Sequence, residues 1–214
     1  MSHPISIGLG QVTLQSKGGI TMAPDPLHTH GQVIRVTASP EASIMTAHAS
    51  GPRSEALCNI PLKPETPYTI RFKFLNTSTN YDVTTFFQIL DNTRGTLTEP
   101  RLKMALTNTG YTLAVGTSAT QPDSVAGKSF VMAPCRPDVG VWTQWSIEIK
   151  RSDTHGYVRI TKDGKLIANL PDMVTMYQPK LLQNPDGHVK FGVYRHSVTE
   201  TQTEYYTDFT IQES

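Results

Sequence analysis

Long apolar runs are missing from this chain, and none approaches the roughly 20 residues that a membrane-crossing helix needs. The first residues, Met-Ser-His-Pro-Ile-Ser-Ile, lack a basic cluster followed by an apolar stretch and do not read as a secretory leader. The alternatives this leaves are a protein of the cytoplasm before release by lysis, one on a virion surface, one exported by another route, or a mature form. Cysteine is scarce: Cys58 and Cys135 are the only two, too few for a disulfide framework. Two buried thiols are the favoured reading and a bridge between them the alternative. Charge of either sign is also in short supply. Lys and Arg total 19 against 18 Asp and Glu, so the net charge of +1 offers no global field to draw nucleic acid or an anionic membrane. Any polyanion site must be a local cluster of cations.

Helix signals are nearly absent, whereas proline and glycine occur 15 times each and punctuate the chain at short intervals. Between them lie short runs rich in Val, Ile, Thr, Phe and Tyr with period-two alternation, which is the strand pattern. Strands are expected near 5–15, 31–38, 43–49, 54–60, 68–75, 84–91, 101–107, 110–117, 141–151, 156–162, 165–170, 188–196 and 204–212. That number of short, evenly spaced strands implies an all-β sandwich or jelly roll over 1–214 as one domain. Lys162-Asp-Gly-Lys165 and Thr107-Asn-Thr-Gly110 are hairpin turns. Segment 118–140 reads as a long loop, and 172–186 as irregular chain with one helical turn.

Alternation also sorts the side chains. Ile70, Phe72 and Phe74 share one face of their strand, with Arg71 and Lys73 on the other. Leu102, Met104 and Leu106 point inward while Arg101 and Lys103 point out. Val189, Phe191 and Val193 form an apolar face, which leaves His188, Lys190, Gly192, Tyr194 and His196 together on the opposite one. Gly192 there leaves room for a ligand or another backbone. Trp142 and Trp145 are expected as core anchors. His28 and His30 share a strand face, but no third metal ligand lies near them.

Three segments stand out in order: Arg53-Ser-Glu55, Phe87-Gln-Ile-Leu90 and Val189-Lys-Phe-Gly-Val-Tyr-Arg195. With Glu99-Pro-Arg-Leu-Lys-Met-Ala-Leu106, Trp142-Thr-Gln-Trp145, Gly156-Tyr157 and the Asp163-Gly164 turn, they resemble the jelly-roll polysaccharide lyases, the group that includes alginate, glucuronan and heparin lyases. The resemblance covers about residues 30–212. It implies a concanavalin-like jelly-roll sandwich of two antiparallel sheets, an acidic polysaccharide as partner, and a scheme that requires no metal or other cofactor.

The chemistry it implies is β-elimination at a uronic acid. Gln88 and Arg53 match the groups that neutralise the carboxylate and stabilise the enolate-like intermediate. Tyr194 matches the proton-transfer residue; an unperturbed tyrosine titrates near 10, so a nearby cation such as Lys190 or Arg53 would have to favour its ionised form. Lys190, Arg71, Lys73, Arg101, Lys103, His188 and His196 are the candidate substrate-binding residues. The motif has histidine two residues after the glutamine, where this chain has Leu90, a side chain that cannot transfer a proton. His48, ahead of Arg53, is the candidate replacement, with His188 and His196 as further imidazoles. The loss of the motif histidine favours an acidic-glycan-binding or structural module, for instance a decoration of a phage particle or other large assembly. An active lyase is the alternative, and a pure scaffold a third reading.

Overall fold

The computed structural model describes residues 3–15, 19–39, 53–79, 83–93, 100–121, 127–133, 138–195 and 200–214. Its strands are β1 (Ile5–Ser6), β2 (Val12–Gln15), β3 (Ile20–Pro24), β4 (Gln32–Ala38), β5 (Arg53–Cys58), β6 (Pro67–Asn76), β7 (Thr84–Thr93), β8 (Leu102–Thr107), β9 (Gly110–Gly116), β10 (Gly127–Ala133), β11 (Trp142–Lys150), β12 (Gly156–Lys162), β13 (Lys165–Met173), β14 (Leu182–Arg195) and β15 (Gln202–Glu213). Among the described residues the helices are 3-10 turns at Leu9–Gln11 and Pro179–Leu181, neither long and apolar enough to cross a membrane.

The strands form two antiparallel sheets. The rear sheet runs β13-β12-β11-β6-β15-β4-β3, with β1 also paired to β15, and the front sheet runs β10-β9-β8-β7-β14-β5-β2. This is the jelly-roll sandwich that the strand pattern implied. β6 shows why the layers meet: every second residue from Tyr68 is apolar, so Ile70, Phe72 and Phe74 project inward from the rear sheet. There they meet the inward residues of the front sheet, with Phe72 stacked on Phe87 at 5.3 Å and Phe74 on Phe86 at 4.6 Å between ring centroids. Burying each such side chain stabilises the fold by about 1.5–3 kcal/mol. The β12–β13 hairpin turns at Asp163 and Gly164, both at positive φ (50° and 76°), the conformation its two-residue turn requires.

Several expectations are corrected here. The stretch 118–140 contains a strand, β10, paired to β9, although its sequence lacks alternation. β3 was absent from the expected strands, and the first expected strand is two short ones around a 3-10 turn. The helical turn expected in 172–186 is Pro179–Leu181. Cys58 is a buried free thiol whose pKa burial pushes up to about 12, while Cys135 lies outside the described residues. The expected strand at 43–49 also lies outside them.

Candidate functional site

The outer face of the front sheet gathers the side chains of three adjacent strands. β14 is the middle one, with β5 on one side and β7 on the other. Tyr194 lies directly across from Arg53, Gly192 from Glu55, and Lys190 from Leu57. On the other flank Lys190 lies across from Gln88, which in turn faces Lys103 of β8. Pleating sends Ser54, Ala56 and Cys58 into the core and keeps Arg53 and Glu55 on the far face.

The contacts within this face are specific. The Arg53 guanidinium carbon stands 4.3 Å from the centroid of the Tyr194 ring. Glu55, only 2% exposed, places Oε2 3.6 Å from Arg53 Nε and 3.4 Å from Lys190 Nζ. Burial raises the Glu55 carboxyl above its ordinary 4.5, against the opposing pull of Lys190 and Arg53. Burial likewise lowers Lys190 below its ordinary 10.5; Glu55 opposes that shift and Arg53 adds to it. Two basic side chains thus share one carboxyl beside the Gln88 amide. Gln88 itself is 5% exposed. Such a set suits an incoming carboxylate, which accepts from guanidinium, ammonium and amide donors.

Two backbone features shape the face. Gly192 has φ of +132°, and a Cβ there would overlap the Ser54 carbonyl oxygen, so only glycine lets β14 lie this close to β5. In β7 the pairing shifts between Thr85 and Phe87, so that Phe86 and Phe87 both turn into the core. Beneath both features sits Tyr206 of the rear sheet. Its hydroxyl crosses the interior to donate to the Phe86 carbonyl at 2.9 Å, and lies 3.4 Å from the Gly192 carbonyl and 3.1 Å from Glu204 Oε2. Sequence reasoning passed over Glu204 and Tyr206. The run Gln202, Glu204, Tyr206, polar at every second position on the inward face of β15, was the available signal.

At the other end of the face His188 lies directly across from Leu90, diagonal to Gln88. It is half-buried; burial and the Arg151 charge lower its pKa from 6.5 while Asp186 opposes, which favours the neutral ring. Its strand is anchored just upstream. The buried Arg151 pairs with Asp91 at 2.6 Å and bonds the carbonyls of Leu62 and Pro185, and Asp91 also accepts from Tyr177 N at 2.7 Å.

The predicted residues therefore divide. Arg53, Gln88, Lys190 and Tyr194 come together, with Lys103 and His188 flanking them. Arg71 and Lys73 do not join them: both lie on β6 in the rear sheet, where Lys73 pairs with Asp208 at 2.8 Å. Alternation assigned them to an outer face, but period two cannot say of which sheet. Arg101 is 1% exposed, and its guanidinium carbon lies 4.2 Å over the Tyr177 ring, so it is buried and not presented outward beside Lys103. It precedes the first residue of β8, and the pleat does not extend to it. His48 and His196 lie outside the described residues.

Two antiparallel sheets facing across an aromatic core define a jelly-roll sandwich. The family model described as Polysaccharide lyase matches residues 8–210, and the chain belongs to that family. Among solved structures it is similar to alginate lyase AlyC3, at 14% identity and TM-score 0.61, covering 94% of this chain and 89% of that one. It is likewise similar to alginate lyase A1-II′, a member of polysaccharide lyase family 7, at 14% identity and TM-score 0.62, covering 90% and 83%. The alginate lyase from Corynebacterium sp. is similar at 11% identity and TM-score 0.60, covering 90% and 81%. No curated protein matches the chain.

Proposed function

We propose that the face formed by Arg53, Gln88, Lys190 and Tyr194 binds the carboxylate-bearing sugars of a uronate-containing polysaccharide. The observation that carries this reading is the shared Glu55 carboxylate. It holds Arg53 and Lys190 about a single acidic side chain next to Gln88, two cationic side chains to one carboxyl. Alginate lyases among the structural relatives support the choice of an acidic glycan, one of them described in complex with dimannuronate.

Cleavage is the second reading, and the Arg53–Tyr194 contact favours it. That contact sets the phenol beside the guanidinium proposed to hold the sugar carboxylate. In β-elimination the C5 proton leaves to a base, the C5–H electrons form the C4–C5 double bond, and the C4–O bond breaks. The departing oxygen then takes a proton. In this reading Tyr194 transfers the proton, while Arg53 and Gln88 hold the carboxylate on which negative charge develops. His188, across from Leu90, supplies an imidazole one strand away from the motif position. Membership in a larger assembly such as a phage particle stays a proposal drawn from the sequence, and light scattering of the purified chain tests it.

Calorimetric titration with alginate, glucuronan and heparin oligomers, run beside absorbance of the unsaturated product, separates the readings. Binding that Arg53→Ala and Lys190→Ala abolish, with no product, assigns a binding module. Product that Tyr194→Phe eliminates assigns a lyase. Absence of binding to every uronate polymer overturns both.

A further inference from the structure

The opposite side of the sandwich carries a cleft of about 410 Å³, which includes Leu27, His30, Lys73, Trp142, Gln144 and Asp163 in its lining. That volume falls within the range of small-ligand pockets. Trp142 and Gln144 alternate with the inward Thr143 and Trp145 on β11, so both stand on the outer face of the rear sheet. Gln144 lies directly across from Lys73 of β6. Asp163, at the β12–β13 turn, closes one side by accepting from Gln144 N at 2.7 Å.

The expectation that both tryptophans are core anchors is met only by Trp145, which is fully buried. The Trp142 ring is held at the surface instead. Its indole N–H donates to Asp25 Oδ1 at 3.2 Å, and the His30 ring packs edge-on against it, with centroids 5.2 Å apart and planes at 86°. Asp25 is buried, and its carboxylate also gathers the backbone N–H groups of Leu27, Thr29 and His30 and the Thr29 hydroxyl. Loop 25–31 is thereby fixed around the indole. Leu27 and Val141 add exposed apolar surface at the rim, Val141 being 55% exposed. Lys73 pairs with the exposed Asp208, a surface pair of the kind worth ~0–1 kcal/mol and readily exchanged for a ligand.

An immobilised aromatic ring beside planar amide and carboxylate groups is complementary to a pyranose. The sugar's C–H face meets the indole, while adjacent hydroxyls bridge Gln144 and Asp163. We infer that this cleft is a second glycan site, taking one or two sugar units of a polysaccharide on the face opposite Tyr194. The inference rests on the reading that the chain works on polysaccharide, and adds a site separate from the one that reading uses.

The chain's two tryptophans make the test direct. Trp145 is 0% exposed, so acrylamide quenching of the emission reports Trp142. Uronate oligomers are titrated into wild type, Arg53→Ala and Gln144→Ala, with polyglutamate of equal charge as control. Protection of the emission in wild type and Arg53→Ala, with Kd roughly tenfold weaker in Gln144→Ala (about 1.4 kcal/mol), supports the second site. Calorimetric binding without any change in Trp142 quenching overturns it and leaves the Tyr194 face intact. Equal protection by polyglutamate also overturns it, and loss of both signals removes the polysaccharide reading itself.

Discussion

The hydroxyl of Tyr206 reaches through the sandwich to the carbonyl of Phe86, 2.9 Å away, at the point where β7 departs from regular pairing. A rear-sheet side chain thus holds the backbone under the charged face. Tyr206→Phe keeps the ring and removes the donor to the Phe86 carbonyl. The expected cost is about 1–3 kcal/mol, read from the urea midpoint. Uronate binding should weaken with it, because Gln88 follows the irregularity by two residues.

Gly192→Ala tests the closeness of β14 and β5. A methyl group at φ +132° meets the Ser54 carbonyl, and the backbone strain alone is of order 1–3 kcal/mol. The variant should unfold at lower urea and lose the Arg53–Tyr194 contact, visible as a changed ultraviolet difference spectrum of the tyrosine. Unchanged stability would mean that the strands part without cost.

Arg151→Met strands Asp91 in the interior, where breaking a buried pair costs about 3–5 kcal/mol. Removing both charges in Arg151→Met/Asp91→Leu should cost less than the sum of the single changes. The positive charge that helps hold His188 neutral disappears as well. The His188 pKa, followed by NMR, should therefore rise in Arg151→Met.

Two carboxylates should give stability opposite dependences on pH. Glu55 is raised above 4.5 by burial, so its favourable contribution is complete below 4.5 and is lost as pH climbs through its folded value. Wild type should therefore gain on Glu55→Gln as pH falls from 8 toward 4.5. Asp25 goes the other way. Burial works to raise it, but the N–H bonds from Leu27, His30 and Thr29 and the Thr29 hydroxyl carry it below its ordinary 3.8. Its contribution is present above 3.8 and is lost as pH falls, so the deficit of Asp25→Asn should shrink in acid. Urea titrations at a series of pH values read both slopes.

Much of the fold was legible because pleating repeats with period two. Residues 68–74, 102–106 and 189–193 alternate cleanly, and the Asp163-Gly164 pair announces its turn. The same signal brought Lys190, Gly192 and Tyr194 to one face. It could not separate the two outer faces, which is why Arg71 and Lys73 were grouped with Tyr194. Arg101 was misassigned because Tyr177, from the segment before β14, covers it, and that contact is 76 residues away in sequence. β10 was missed because Gly127-Lys-Ser does not alternate and the strand pairs at the sheet edge. Trp142 looked like a core residue because aromatic size says nothing of which side of β11 a ring takes.

The through-core bond from Tyr206 sets an order of assembly. β15 follows every other described strand in sequence, yet its tyrosine supports backbone laid down more than a hundred residues earlier. During synthesis the charged face therefore stays unfinished until the final strand slots between β4 and β6. A ribosome-stalled chain lacking that strand would carry Arg53, Gln88 and Tyr194 without the brace that aligns them.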